Sequence, residues 1–194
     1  MDFTTYLQTV RLRVAPLDPL TQLFHAKLGM VTEAGELCDL FKRQVAYGKE
    51  FDTVNLLEEC GDWLWYFCLF WDEIGLGMRR LDQLTEVGVK EFNFKREMAN
   101  APAKVALTIA ATTGFVCDSE TLGMGPQERK ELAEAAFNLV LWQLFCHGFT
   151  VEQCLEANDA KLEKRTGKAF NPDRILNRDL GAERTVLEGH ATGH

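Results

Sequence analysis

Residues 58–67 read EECGDWLWYF. Three acids and a glycine run straight into a dense aromatic stretch. The same arrangement occurs earlier, in TEAGELCDLF at 32–41. Apolar residues around both stretches recur at three- and four-residue steps, the period of a helix with one face on a core. Leu20, Leu23, Phe24, Leu28, Val31, Leu37, Leu40 and Phe41 follow that rhythm before Gly48. The spacing predicts one helix over about 19–46 and a second from an Asp52 cap to about Ile74.

Further helices are expected over about 78–98, from the joint NAPAK (100–104) to Val116, from Pro126 to Gly148, and after the capping-box pattern TVEQ (150–153). No alternating strand pattern stands out. The expectation is an all-α bundle of about six helices, ending in a polar, partly extended tail.

The bulk numbers narrow the function. A chain of 194 residues with 46% hydrophobic content suits one compact domain or two small units sharing a core. A net charge of −8 argues against general nucleic-acid binding. The longest apolar run, WLWYFCLFW, is bracketed by Asp62 and Asp72 and is too short to span a bilayer. The N-terminal MDFTTYLQTV lacks the pattern of a signal peptide. The six cysteines show no C-x-x-C pairing and read as reduced thiols, which fits a cytoplasmic location.

An internal echo runs through the chain. EECGDWLWYFCLF (58–70) aligns with EAAFNLVLWQLFC (134–146), MVTEAGELCD (30–39) with AATTGFVCDS (110–119), and VGVK (87–90) with NDAK (158–161). Two tandem units are expected, 1–99 and 100–194. The first keeps Glu33, Glu36, Glu59 and Asp62, and the second has lost the acids at the aligned positions. The second carries the fuller polar end at Asn158.

Glu33 and Glu36 share one helix face, as do Glu59 and Asp62, because each pair is three residues apart. Each pair also brackets a glycine, which costs a helix interior about 1 kcal/mol relative to alanine. Close approach of the two helices at Gly35 and Gly61 is the expected reason. The four acids then converge, and their repulsion calls for raised pKa values or a bound cation. An all-oxygen donor set selects a hard ion, Mg²⁺ or Mn²⁺ in its place, and such ions favour phosphate oxygens. A lone E-x-x-E pair is ordinarily a solvated surface feature. Two matching pairs inside apolar helices are not.

At these residues the chain resembles the MazG-like, all-α nucleoside triphosphate pyrophosphatase superfamily. The resemblance rests on E-x-x-E (Glu33, Glu36) followed by E-x-x-D (Glu59, Asp62), on the flanks LGMVTEAGEL, YGKEFD and EECGDWLWY, and on the ending NDAKLEKR with NRDLGAERTVLEG. It covers about 23–96 and 151–188, and the style of the tail is similar to bacteriophage versions, which would place the protein in a host cytoplasm. It implies Mg²⁺-dependent hydrolysis of a nucleoside triphosphate, often a deoxynucleotide, to the monophosphate and pyrophosphate, in nucleotide-pool control. The four acids would hold Mg²⁺, with Glu33 one candidate for the general base. Asn158, Lys161 and Arg165 would hold phosphate oxygens. Roughly 95 residues separate Asp62 from Asn158, far more than in a single unit. The implied assembly is an internal pseudo-dimer as in the related dimeric dUTPases, which argues against the usual tetramer and leaves a homodimer open.

Other residues have two readings. Trp65, three residues after Asp62, either stacks on a nucleobase or packs in the core. His25 either contacts the base or ribose or is structural. Lys49 and Arg178 are weaker substrate-binding candidates. The competing classes are a nucleotide-binding or regulatory module without turnover, and a purely structural helical protein.

Overall fold

The computed structural model describes residues 1–91 and 102–192, with side chains of 87–91 outside the description. Among the described residues all regular structure is helical. The helices are α1 (Phe3–Arg13), α2 (Pro19–Tyr47), α3 (Thr53–Glu73), α4 (Arg79–Glu91), α5 (Pro102–Asp118), α6 (Pro126–Cys146), α7 (Val151–Thr166), α8 (Pro172–Leu176) and α9 (Leu180–Ala191).

Local chemistry sets the boundaries. Asp18 accepts from the Thr21 N–H at 3.1 Å with Pro19 in the first turn, and Asp52 accepts from the Asn55 N–H at 2.9 Å. Gly48 ends α2 in the left-handed region, at φ 63°. Thr150 and Gln153 close the expected capping box on α7, at 3.2 and 2.8 Å.

The helices α2 and α3 form an antiparallel hairpin. Phe41 meets Phe51 near the turn, and Gly29 meets Tyr66 at the far end. A second hairpin, α5–α6, packs beside it, with α5 against α2 and α6 against α3, which closes a four-helix ring. Trp63, fully buried, sits in the middle of the ring and donates its indole N–H to Thr113 Oγ1 at 3.2 Å. Its ring stacks on Phe67 with centroids 4.8 Å apart, Phe67 stacks on Phe137, and Phe137 meets Phe3 edge-on. The aromatic run of 63–71 is thus the central seam of the core. The helix α7 lies on the outside of α3, and α1 wedges between α3, α4 and α7.

Three expectations change. The opening residues form a helix: Asp2 caps it, and Phe3, Tyr6, Leu7 and Val10 give it a buried face. The tail is mostly helical rather than extended. Asp179 caps α9, whose buried Leu187 and Glu183 pack it on α7 and α3. The described helices therefore exceed the expected six. The third expected helix is described to Glu91, and its stretch 92–98 lies outside the described residues, as do the side chains of the VGVK alignment.

Candidate functional site

Glu33 on α2 and Glu59 and Asp62 on α3 bring carboxylate oxygens within 4.8 Å of one another. They face each other because the antiparallel register pairs position 33 with the turn of 59–62. Glu36 lines the same cavity but stands outside this trio, and its side chain is exposed. A step of three residues rotates a side chain about 60° short of a full turn. Glu33 therefore faces α3 while Glu36 falls toward solvent. Sequence reasoning missed a fifth acid on this wall, Glu58. Its spacing does not match E-x-x-D, so nothing in the pattern marked it.

The glycines act differently from the expectation. A Cβ on Gly35 would meet nothing within 4 Å. The close approach of α2 to α3 occurs earlier in the helix, at Gly29, where a Cβ would overlap the Tyr66 ring. Gly61 makes room for α7 instead: a Cβ there would lie 3.0 Å from Asn158 Cβ and 3.1 Å from Nδ2.

That approach delivers Asn158 and Lys161 to the acids. Lys161 is fully buried and bonds both Asp62 oxygens at 2.6 Å and Glu58 Oε1 at 3.3 Å. Asn158 Nδ2 donates to Asp62 Oδ1 at 2.6 Å. Both residues sit inside the acid cluster, and Lys161 serves as a cation compensating carboxylates that burial would otherwise destabilise. Arg165 lines the same cavity but bonds no acid of the cluster, donating instead to Glu183 Oε2 at 2.8 Å, as Arg178 does.

The electrostatics follow from crowding. Burial, then the charge of Asp62, pushes the Glu33 carboxyl up to about 7. Burial, then Asp62 and Glu33, pushes Glu59 up to about 9. The contact between the two glutamates lowers Glu33 and raises Glu59 further. A half-buried and a buried acid, both with raised pKa values in one cavity, mark a candidate reactive or cation-binding site.

The acids open into a cavity of about 500 Å³. Arg13, Arg165 and Arg178 also line it, and His25, Trp65 and Tyr66 form an aromatic wall. His25 meets the Tyr66 and Trp65 rings edge-on, with centroids 5.3 and 6.0 Å away, and burial lowers its pKa. Phe170 and Ile175 complete the rim from the segment between α7 and α9. Arg13 was missed because α1 was. It is buried, ion-paired with Asp159, and donates to the Gly167 carbonyl at 3.3 Å. Lys49 sits exposed in the α2–α3 turn and is not part of the cavity wall.

The donor set fits a hard divalent cation. It consists of oxygens alone, from two helices held rigidly against each other, with mutual repulsion that a cation would relieve. Acids and arginines lining one cavity suit a metal–polyphosphate ligand, and its aromatic side chains suit a flat ring. All six cysteines are free thiols, packed in or against the core. Among the described residues, no helix is long and apolar enough to cross a membrane. No protein-family model, curated protein or solved structure matches the chain.

Proposed function

We propose that the protein is a Mg²⁺-dependent nucleoside triphosphate pyrophosphohydrolase that releases the monophosphate and pyrophosphate. The observation that carries this reading is the trio Glu33, Glu59 and Asp62, set in a cavity that Arg13, Arg165 and Arg178 also line. Three of the four acids in the MazG-like motif belong to this trio, and Glu36 does not.

Glu33, Glu59 and Asp62, with Glu36 along the same wall, are the residues that would hold the ion. Bound there, Mg²⁺ supplies Lewis acidity toward phosphate oxygens and water. The chain's own residues supply the rest. Arg13, Arg165 and Arg178 bind the anionic oxygens and stabilise charge developing on the departing pyrophosphate. The wall of His25, Trp65 and Tyr66 receives the base and sugar. Glu33 takes the proton as a water oxygen attacks the α-phosphorus and the bond to the bridging oxygen breaks. Phe170 and Ile175 at the rim restrict bulk water.

The tandem-unit reading belongs with this proposal. The α2–α3 and α5–α6 hairpins act as intact and degenerate halves, and α7 from the second half completes the site of the first. A homodimer extends it through the outward sides of α2 and α5. Cys38 meets the Ala106 carbonyl and Cys117 the Lys27 carbonyl, so these helices run antiparallel. Their outward sides leave Leu20, Phe24, Leu28, Val31, Leu107 and Phe115 about half to two-thirds exposed.

The test is a panel of ribo- and deoxyribonucleoside triphosphates with Mg²⁺, scored for monophosphate and for phosphate after added pyrophosphatase. Glu36→Gln and Asp62→Asn are expected to lower turnover by about 100-fold or more. Undiminished turnover in both would overturn the assignment. A second reading, nucleotide binding without turnover, draws on the existing partners of the polar groups: Asp62 is held by Lys161, and Arg165 and Arg178 by Glu183. It predicts saturable binding by calorimetry and no product with any nucleotide in the panel.

A further inference from the structure

We propose that Tyr6, on the N-terminal helix outside both acidic motifs, is a positioning residue for the acid cluster. It acts through Asn158 on Asp62. This inference rests on the reading of the cluster as a divalent-cation site.

Tyr6 is fully buried, and its hydroxyl donates to Asn158 Oδ1 at 2.6 Å. The other end of the same amide donates to Asp62 Oδ1 at 2.6 Å. An amide side chain is nearly symmetric in shape, so its neighbours decide which end faces where. The carboxylate only accepts, which selects the NH₂ end, and the phenol then donates to the amide oxygen and holds it toward α1. Asn158 is itself buried and cannot exchange this partner for water. The amide packs directly against Gly61, where an added Cβ would stand 3.1 Å from Nδ2.

The phenol is held firmly in turn. Four contacts pin α1 along its length: Met1 to Glu156, the Phe3 N–H to Asp82, Arg11 to Asp72, and Arg13 to Asp159. Lys161 supplies charge to Asp62, whereas Tyr6 and Asn158 supply direction. Partners of this outer kind orient a ligating carboxylate, and their loss commonly costs 10–100-fold in metal affinity.

The test is titration of the full chain with Mn²⁺ alone, read by electron paramagnetic resonance of the free ion. Tyr6→Phe removes a single oxygen and keeps the ring in the core. It should weaken Mn²⁺ binding about tenfold. Asn158→Ala should weaken it similarly, and the double variant should be no weaker than Asn158→Ala alone. A purely structural role for Tyr6 would lower the melting temperature in every background and leave Mn²⁺ affinity unchanged. Equal affinity of wild type and Tyr6→Phe, or additive losses in the double variant, overturns the proposal while the metal reading stands. Failure of the wild-type protein to bind Mn²⁺ overturns both.

Discussion

Two glutamates dominate the chemistry at the residue scale. Glu33 and Glu59 have folded-state pKa values raised to about 7 and about 9 by burial and like charge. A raised carboxyl pKa favours folding only while the group stays protonated. Below the unfolded value neither group opposes folding. As pH rises, the unfolded chain ionises first and gains, so stability falls until the folded pKa values are passed. The carboxylates with lowered pKa values, such as Asp52 and Glu183, act in the opposite sense but only at more acidic pH. The metal-free protein should therefore melt roughly 5–10 °C lower at pH 8 than at pH 5. Millimolar Mg²⁺ should recover much of that loss, as scanning calorimetry with chelator and with added ion would record. Glu59→Gln removes one charge from the crowd. It should raise the metal-free melting temperature at pH 8 by about 4 °C, leave it nearly unchanged at pH 5, and abolish Mg²⁺ stabilisation. A variant that melts lower at pH 8 would contradict the account of repulsion.

The helix glycines separate two kinds of contact at the scale of elements. Gly35 and Gly61 occupy matching places in E-A-G-E and E-C-G-D, yet only Gly61 touches another helix. Gly35→Ala should stabilise the protein by up to about 1 kcal/mol, the ordinary gain of alanine over glycine in a helix. Gly61→Ala forfeits that gain, because α7 must shift from α3 to admit the methyl. A net loss of about 1–3 kcal/mol in urea unfolding is expected, with weaker Mn²⁺ binding as Asn158 and Lys161 move with α7. Matching effects of the two substitutions would show that α7 adjusts freely. The connection from α7 to α9 illustrates the same dependence between elements. Glu183 holds Arg165 of α7 and Arg178 of the incoming loop together at the cavity edge.

The outward side of α2 and α5 is the conspicuous feature of the whole molecule. Leu20, Phe24, Leu28 and Val31 recur on one side of α2, with Leu107 and Phe115 on the adjoining α5. A stable dimer needs about 800 Å² per partner, and this side groups six exposed large apolar side chains. Light scattering at micromolar concentration should report twice the 22.0 kDa chain mass. Phe24→Asp with Leu28→Asp, both on the surface, should yield a folded monomer. A wild-type protein that runs as a monomer throughout would remove this face from consideration.

Sequence by itself determined where the main helices lie, because caps, glycines and apolar period act within a few residues. It also singled out the acids, since carboxylates inside apolar helices carry a visible cost. What it left undecided depends on contacts across the chain. Tyr6 and Asn158 are 152 positions apart, and Asp62 and Lys161 are 99 apart. Whether Glu36 joins Glu33, whether Gly61 meets α2 or α7, and whether Lys161 faces solvent or Asp62 are set by how whole helices rotate and seat against one another. Those rotations answer to packing of the entire core, so only the tertiary structure decided them.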